Sequence, residues 1–334
     1  MCASHADRDR QGSAGRGRLL ADRFELGAAL GTGGMGVVYQ ALDRRTGEQV
    51  ALKAMRGDDA DALVRFKNEF RLCADLRHRN LVRLGELIEA DDQLFFTMEL
   101  VVGVDVLSWV RSPAWASAGP DRTPTAPRGL PVARSRRRST GRVGPAFVED
   151  RLRAAFRQIA AGVGALHAGR RVHRDLKPSN ILVTADGRVV ILDFGLVVPH
   201  VVERPHSDAV AVGTVAYMAP EQAAARPVGP AADWYAVGAM LYEALAGRLP
   251  VEGDDPGSLL AAKLHHDAPP VATFAPAAPE DLAGVGFTRL ADRRPDRRVL
   301  IAVAGAGAAI VVAIVALAVA RPMLARALDG RLGG

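Results

Sequence analysis

Residues 171–195 read RVHRDLKPSNILVTADGRVVILDFG, and their spacing decides how the chain folds. Two short apolar runs, Ile181–Val183 and Val189–Leu192, flank the turn sequence Thr184-Ala185-Asp186-Gly187. That pattern predicts a β-hairpin. Asp175 lies in a turn ahead of the first strand, Asn180 follows five residues later, and Asp193 comes just after the second strand. One hairpin thus brings a candidate proton acceptor, Asp175, and two candidate metal ligands, Asn180 and Asp193, to one cleft.

Upstream, Phe24 opens FELGAALGTGGMGVVYQALD, and EQVALKAM follows. Two β-rich runs around a glycine cluster suit an antiparallel hairpin with a glycine loop at its tip. Gly31, Gly33 and Gly36 stand at G-x-G-x-x-G spacing, with Val38 two residues on. Without a Cβ, such residues let backbone N–H groups approach phosphate oxygens. Alone the motif is weak, because a glycine-rich strand tip reads the same way. The next strand carries Val50-Ala51-Leu52-Lys53, which makes the combination far more specific.

A helix is expected over 60–77, with Leu63, Phe66, Phe70, Cys73 and Leu76 at helical spacing. Glu69 lies at the edge of that stripe, and Cys73 reads as a small core residue. Strands follow around Leu81–Leu87 and Leu94–Leu100. Asp105 precedes a short helix, Val106–Val110, that it could cap. Beyond the insert described below, Leu152, Phe156, Ile159, Val163 and Leu166 form one apolar helical face leading into 171–195.

His173-Arg174-Asp175 with Asn180, and Asp193-Phe194-Gly195, resemble the catalytic-loop and metal-binding motifs of protein kinases. The resemblance extends through the glycine loop, Lys53, Tyr217-Met218-Ala219-Pro220-Glu221 and Asp233-Trp234-Tyr235-Ala236-Val237-Gly238. These motifs stand in the family's order across most of the chain, and they resemble eukaryotic-like bacterial Ser/Thr kinases. The implied fold is α+β, a bilobal protein-kinase fold with a β-rich N-lobe and a helical C-lobe, followed by a single transmembrane helix. The implied division is a disordered N-terminus at 1–20 and a kinase domain at 21–298. Within that domain the N-lobe covers about 21–100 and the C-lobe 101–298.

The resemblance also implies roles. Asp175 orients the acceptor hydroxyl and takes its proton, Lys177 touches the γ-phosphate, and Lys53 holds the α/β-phosphates with Glu69 as its partner. Asn180 and Asp193 hold Mg²⁺. The ATP-binding set is Gly31, Gly33, Gly36, Val38, Ala51, Lys53, Met98, Glu99, Val101, Asp105 and Leu182. Met98 would back the adenine pocket, and Asp105 would meet the ribose. Arg174 implies control by a phosphate in the activation loop, for which Ser207 is the expected acceptor. Thr214 lies beside Asp175, Asp233 braces the catalytic loop, and Arg298 pairs with Glu221. Protein Ser/Thr hydroxyls are the implied substrates.

The net charge of +6 is local: residues 111–146 carry eight arginines against Asp121, leaving the remainder near −1. Rich in Pro, Arg, Ser, Thr and Gly and without apolar periodicity, 111–146 is expected to be a disordered insert. It is read first as a solvated basic loop, then as a lipid contact or an autophosphorylation site around Ser139 and Thr140. It offers no aromatic stacking platform, so nucleic acid is not an expected partner. Two cysteines, Cys2 and Cys73, make a disulfide framework improbable. The polar residues 1–18 lack a signal-peptide core.

Residues 299–320 contain Val, Ile, Leu, Ala and Gly and no charge. At about 1.5 Å per residue they would span roughly 33 Å, enough for a bilayer core. The rival is a buried last C-lobe helix, which should show a polar face. Arg293, Arg294, Arg297 and Arg298 precede the segment and favour a cytoplasmic kinase side, so the expected location is the cell membrane, single-pass. Gly305 and Ala309 have small-xxx-small spacing, on which two spans could pair as a homodimer. A short tail, 321–334, follows. Where the span stands, the family's last supporting helix is missing. A nucleotide-binding pseudokinase or scaffold is therefore the rival to an active Ser/Thr kinase.

Overall fold

The computed structural model describes residues 19–33, 36–55, 60–90, 93–111, 147–193, 198–199 and 215–283. The chain divides into two compact units. One holds residues up to Leu63 with Leu84–Leu100, and the other holds Val64–Arg83 and Val101 onward.

The first unit is a six-stranded antiparallel sheet in the order β1-β2-β3-β4-β6-β5. Its strands are β1 (Leu19–Leu20), β2 (Phe24–Gly33), β3 (Gly36–Asp43), β4 (Glu48–Met55), β5 (Leu84–Ala90) and β6 (Gln93–Glu99). Side chains alternate between the faces of a strand, so each strand here does two jobs. Ala41, Leu52, Ala54 and Phe95 pack with Leu20 and Phe24 into one core on one face. Phe24 meets Phe95 edge-on with ring centroids 5.8 Å apart, a favoured aromatic geometry. The intervening residues, among them Val38, Ala51, Lys53 and Met98, belong to the other face.

One buried charge pair ties this sheet together. Arg23 grips Asp43 through two bonds, Nε to Oδ1 at 2.9 Å and Nη2 to Oδ2 at 2.7 Å. It also reaches Glu86 on β5 at 2.8 Å. The Arg23 hydrogen bonds hold the Asp43 carboxyl down at about 2, against the desolvation of its site. Because the folded value is lowered, this stabilisation is present above the ordinary aspartate range and is lost as pH falls toward 2. Replacing Arg23 by methionine leaves the buried Asp43 charge with the Arg45 N–H, 2.9 Å away, rather than a guanidinium to compensate it. The expected cost is about 2–4 kcal/mol in urea unfolding at neutral pH. A loss within experimental error would show that the pair holds nothing.

Helix α1 (Ala60–Cys73) carries Phe66 and Cys73 fully buried. It stops short of the expected 77, since Leu76 N bonds to Cys73 O at 3.1 Å and closes a turn. β5 likewise begins at Leu84 rather than Leu81. Residues 80–82 are engaged elsewhere: Ile191 N donates to Asn80 O and Val82 N to Ile191 O, both at 2.9 Å. Those bonds also account for part of why residues 64–83 group with the second unit rather than with an N-terminal lobe ending near 100.

In the second unit β7 (Gly103–Asp105), β9 (Ile181–Thr184) and β10 (Val189–Ile191) form a sheet in the order β10-β9-β7. The hairpin pairs Val183 with Val189 and Ile181 with Ile191. Gly187, at φ +81, makes the turn a Cβ would strain. β8 (Arg171–Val172) pairs with β11 (Val198–Pro199). The helices are α2 (Val106–Arg111), α3 (Glu149–Ala168), α4 (Pro220–Ala223), α5 (Pro230–Ala246), α6 (Pro256–His265) and α7 (Glu280–Ala283).

Leu152, Phe156, Ile159, Val163 and Leu166 of α3 are all buried. A Cβ on Gly162 would stand 2.9 Å from Ile191 Cδ1, so α3 lies tight against the hairpin. Helix α5 is apolar and buried on every side, as a central helix must be. It ends at Gly247 in the left-handed region, φ 76. Asp255 starts α6 by accepting from Gly257 N and Ser258 N. Arg153 on α3 holds Asp281 on α7 with two bonds of 2.8 Å. Among the described residues no helix is long and apolar enough to cross a membrane. The segment 299–320 and the insert 111–146, apart from Arg111, lie outside the described residues.

Candidate active site

The first unit contributes a row across its sheet. Gly31 pairs with Val38, Val38 with Lys53, and Lys53 with Phe96. Directly opposed residues share a face, and so do residues two apart on a strand. Val38, Ala51, Lys53 and Met98 therefore line the face turned away from the core, where sequence reading expects the nucleotide. Lys53 is buried, its Nζ 5.9 Å from the Phe96 ring centroid.

The three loop glycines differ in what demands them. A Cβ on Gly36 would lie 2.1 Å from Ala54 O, so strand packing requires that glycine. A Cβ on Gly31 would meet nothing within 4 Å. The protein itself does not need glycine there, and the open space suits a group that approaches the backbone closely. Gly33 ends β2 opposite Gly36. Glu99 ends β6. Glu69 stands on α1, but its side chain lies outside the described residues, so its pairing with Lys53 rests on resemblance alone.

In the second unit the catalytic-type loop 173–180 is held from below by one carboxylate. Asp233, buried in the first turn of α5, accepts His173 N at Oδ2 and Arg174 N at Oδ1, both at 2.8 Å. His167 Nε2 lies 2.8 Å from the same Oδ2. Asp233 makes no cap for its helix; Gly229 takes that position.

A second tie runs through Leu192. Its N–H donates to Asn180 O at 2.8 Å. The His173 ring accepts Asp175 N–H at Nδ1 (3.3 Å), which leaves Nε2 to donate to Leu192 O at 3.0 Å. One residue thus fastens the end of the hairpin to both sides of the loop, immediately ahead of Asp193. Arg174 and Asp193 both adopt left-handed backbone, φ 68 and 54, a strained state for residues with side chains.

Asp175 Oδ2 receives Lys177 Nζ at 2.7 Å and Asn180 Nδ2 at 3.3 Å. Asn180 Nδ2 also donates to Asp175 O at 2.9 Å. With its amide nitrogen engaged there, Asn180 offers its oxygen as the remaining donor atom. Two hard oxygen ligands, an amide and a carboxylate, fit Mg²⁺, which takes few protein oxygens and leaves room for phosphate.

Arg174 is pulled below the usual guanidinium range by burial, with Asp233 acting the other way. Its Nε is buried and has no hydrogen-bond partner among the described residues. Tyr217 donates to Glu243 Oε2 at 2.5 Å, and burial pushes both groups upward. Asp105 caps α2: Oδ1 accepts Ser108 N at 2.9 Å and Oδ2 accepts Ser108 Oγ at 2.6 Å. Leu182 lies mid-strand opposite Asp105 and Val190, and Val101 lies just ahead of β7. Glu221 sits in the first turn of α4. Ser207, Thr214 and Arg298 lie outside the described residues. A cavity of about 250 Å³ bounded by Tyr242, Arg248 and Phe274 contains none of these residues.

A model of the protein kinase domain family matches residues 24–269. The chain belongs to the protein kinase family. It is similar to the serine/threonine-protein kinase PknA of Mycobacterium tuberculosis, 31% identical over 80% of this chain and 55% of that protein. PknL of the same organism is 32% identical over 75% of this chain and 56% of its own length. A probable serine/threonine-protein kinase PknB of Lactococcus lactis is 28% identical over 80% and 39%. The chain thus spans roughly half, or less, of the curated relatives it matches.

Several kinase-site residues escaped sequence reading. Gln222 Nε2 donates to Arg174 O at 2.9 Å while its Oε1 accepts Ala219 N, so α4 is tied to the loop. Asn80 Nδ2 bonds Val189 O at 2.7 Å and Gln158 Oε1 at 3.0 Å, steadying the hairpin from α3. His167 was another. Only Gln222 carried a local signal, standing three residues after Ala219 at capping-box spacing.

Proposed function

We propose that this chain is an ATP-dependent, Mg²⁺-assisted protein kinase that phosphorylates Ser and Thr hydroxyls, including its own, and is tethered to a membrane by 299–320. The observation that carries the reading is Asp233. A buried carboxylate that accepts the two successive amides of 173–174 fixes the backbone immediately ahead of Asp175. Nothing in the site or the relatives favours a catalytically impaired scaffold.

Phosphoryl transfer asks a protein for positioning and charge neutralisation. Asp175 accepts a hydrogen bond from the acceptor hydroxyl and takes its proton as the oxygen attacks the γ-phosphorus, whose bond to the β–γ bridging oxygen breaks to release ADP. Lys177, beside Asp175, meets the transferring phosphate, and Lys53 meets the inner phosphates. Asn180 and Asp193 would hold Mg²⁺, which neutralises phosphate charge when bound. Half-buried Arg174 would be satisfied by a phosphate on Ser207.

Incubating the full chain with labelled ATP, Mg²⁺ and a generic basic protein should yield phosphoserine and phosphothreonine, with self-labelling that maps to Ser207. Absence of transfer under any metal condition overturns the kinase reading, and an unmodified Ser207 in active protein overturns the loop assignment. For the tether, arginines in place of Ile314 and Leu317 each cost about 2.5–3.5 kcal/mol of insertion free energy. The full chain should pellet with membranes and resist carbonate extraction, whereas the doubly substituted chain should be released. Equal partitioning of the two sinks the tether.

A further inference from the structure

Lys263 of α6 is 1% exposed, and among the described residues no salt bridge involves it. Its Nζ donates to Ala216 O at 2.9 Å and lies 3.4 Å from Tyr235 OH, above the Tyr235 ring at 5.0 Å. Burial alone pushes this amine down to about 7, so the fold sacrifices stability to keep it there. Packing does not require such a group, because a methionine would fill the same space without the desolvation.

The carbonyl it holds belongs to a segment with a particular position. Val215 and Ala216 pack on Leu259 of α6 and on Val251. Tyr217 is tied to α5 through Glu243, and Gln222 ties α4 to Arg174 O, next to Asp175. Residues 215–222 therefore border the loop that carries the catalytic acid. A polypeptide presenting a hydroxyl to Asp175 has to lie along that border.

We infer that Lys263 is a positioning residue for protein substrates: through the Ala216 carbonyl it fixes the backbone of residues 215–217 against which the substrate chain lies. This rests on the kinase reading for its kinetic consequence but not for its structural one. Three anchors hold the segment, from α6, α5 and the catalytic loop, and Lys263 supplies the first.

The test uses the full chain with Lys263→Met, read in two ways. Hydrogen exchange at the amides of 215–218 should accelerate by about tenfold while the amides of α5 stay as in the wild type. KM for a protein substrate should rise by about fivefold or more, with KM for ATP and kcat within about twofold. Unchanged exchange at 215–218 overturns the inference, as does a fall in kcat with both KM values unmoved. If the wild type transfers no phosphate, the kinase reading fails and the exchange measurement still decides the positioning role. Should Lys263→Met not fold, Lys263→Gln keeps an N–H donor without the charge. It should show intermediate exchange and KM, and wild-type values in both would count against the role.

Discussion

Replacing Asp233 with alanine is expected to remove detectable phosphoryl transfer and to destabilise the second unit by about 3–5 kcal/mol, the range for breaking a buried, hydrogen-bonded charge. The reason is arithmetic on hydrogen bonds. Asp233 accepts His173 N, Arg174 N and His167 Nε2 within 2.8 Å, in a site where Asp233 is 1% exposed. Each buried donor left without an acceptor costs about 1–3 kcal/mol. Arg174, half-buried with a left-handed φ of 68, would also lose the nearby charge that favours its protonated form. An asparagine at the same position repairs little, since its NH₂ would face one of these donors. Thermal or urea unfolding of the full chain measures the stability loss, and labelled-ATP transfer measures the activity. A stable, active alanine variant would mean that the loop is organised by something other than this carboxylate.

The second large effect separates chemistry from architecture. Asp175→Asn should lower the transfer rate by about 10²–10⁴-fold, the usual contribution of a positioned proton acceptor. Stability should change by less than about 1 kcal/mol, because Asp175 is a partly exposed surface pair with Lys177 rather than a structural brace. The asparagine oxygen can still accept from Lys177 Nζ and Asn180 Nδ2, so the loop keeps its geometry. KM for ATP should hold, since the nucleotide contacts lie on other residues. Transfer within threefold of the wild type would remove Asp175 from the proposed mechanism. The contrast between the two aspartates is itself diagnostic: one loses fold and rate together, and the other loses rate alone.

What the sequence disclosed follows from how local each signal is. The hairpin 181–191 was legible because alternation and the Thr184–Gly187 turn sit within one short stretch, and its register followed. The α3 face was legible because helical periodicity is a one-dimensional property. Asp233 could be read locally only as a helix cap, and its place beneath the loop came through family resemblance. Asn80, Gln158, His167 and Lys263 were beyond reach, since each bonds to a residue distant in sequence and carries no periodic mark. The helix end at Cys73 was missed for a simpler reason. Leu76 continues the apolar spacing of α1, although the backbone has already turned. At Asp105 the local reading named the contact that is present, a cap on Ser108.

Val148 N donates to Val110 O at 2.8 Å, so the chain re-enters the second unit where it left it. Α2 and α3 are thus joined twice, once by the covalent path through 111–146 and once by this closed doorway. The entropy of closing such a loop rises only slowly with its length, by about 0.6 kcal/mol per doubling. Length between Arg111 and Phe147 is therefore a nearly free variable of this fold. That seam is a natural insertion port, because the Val110–Val148 bond holds both ends of the segment in place whatever its length.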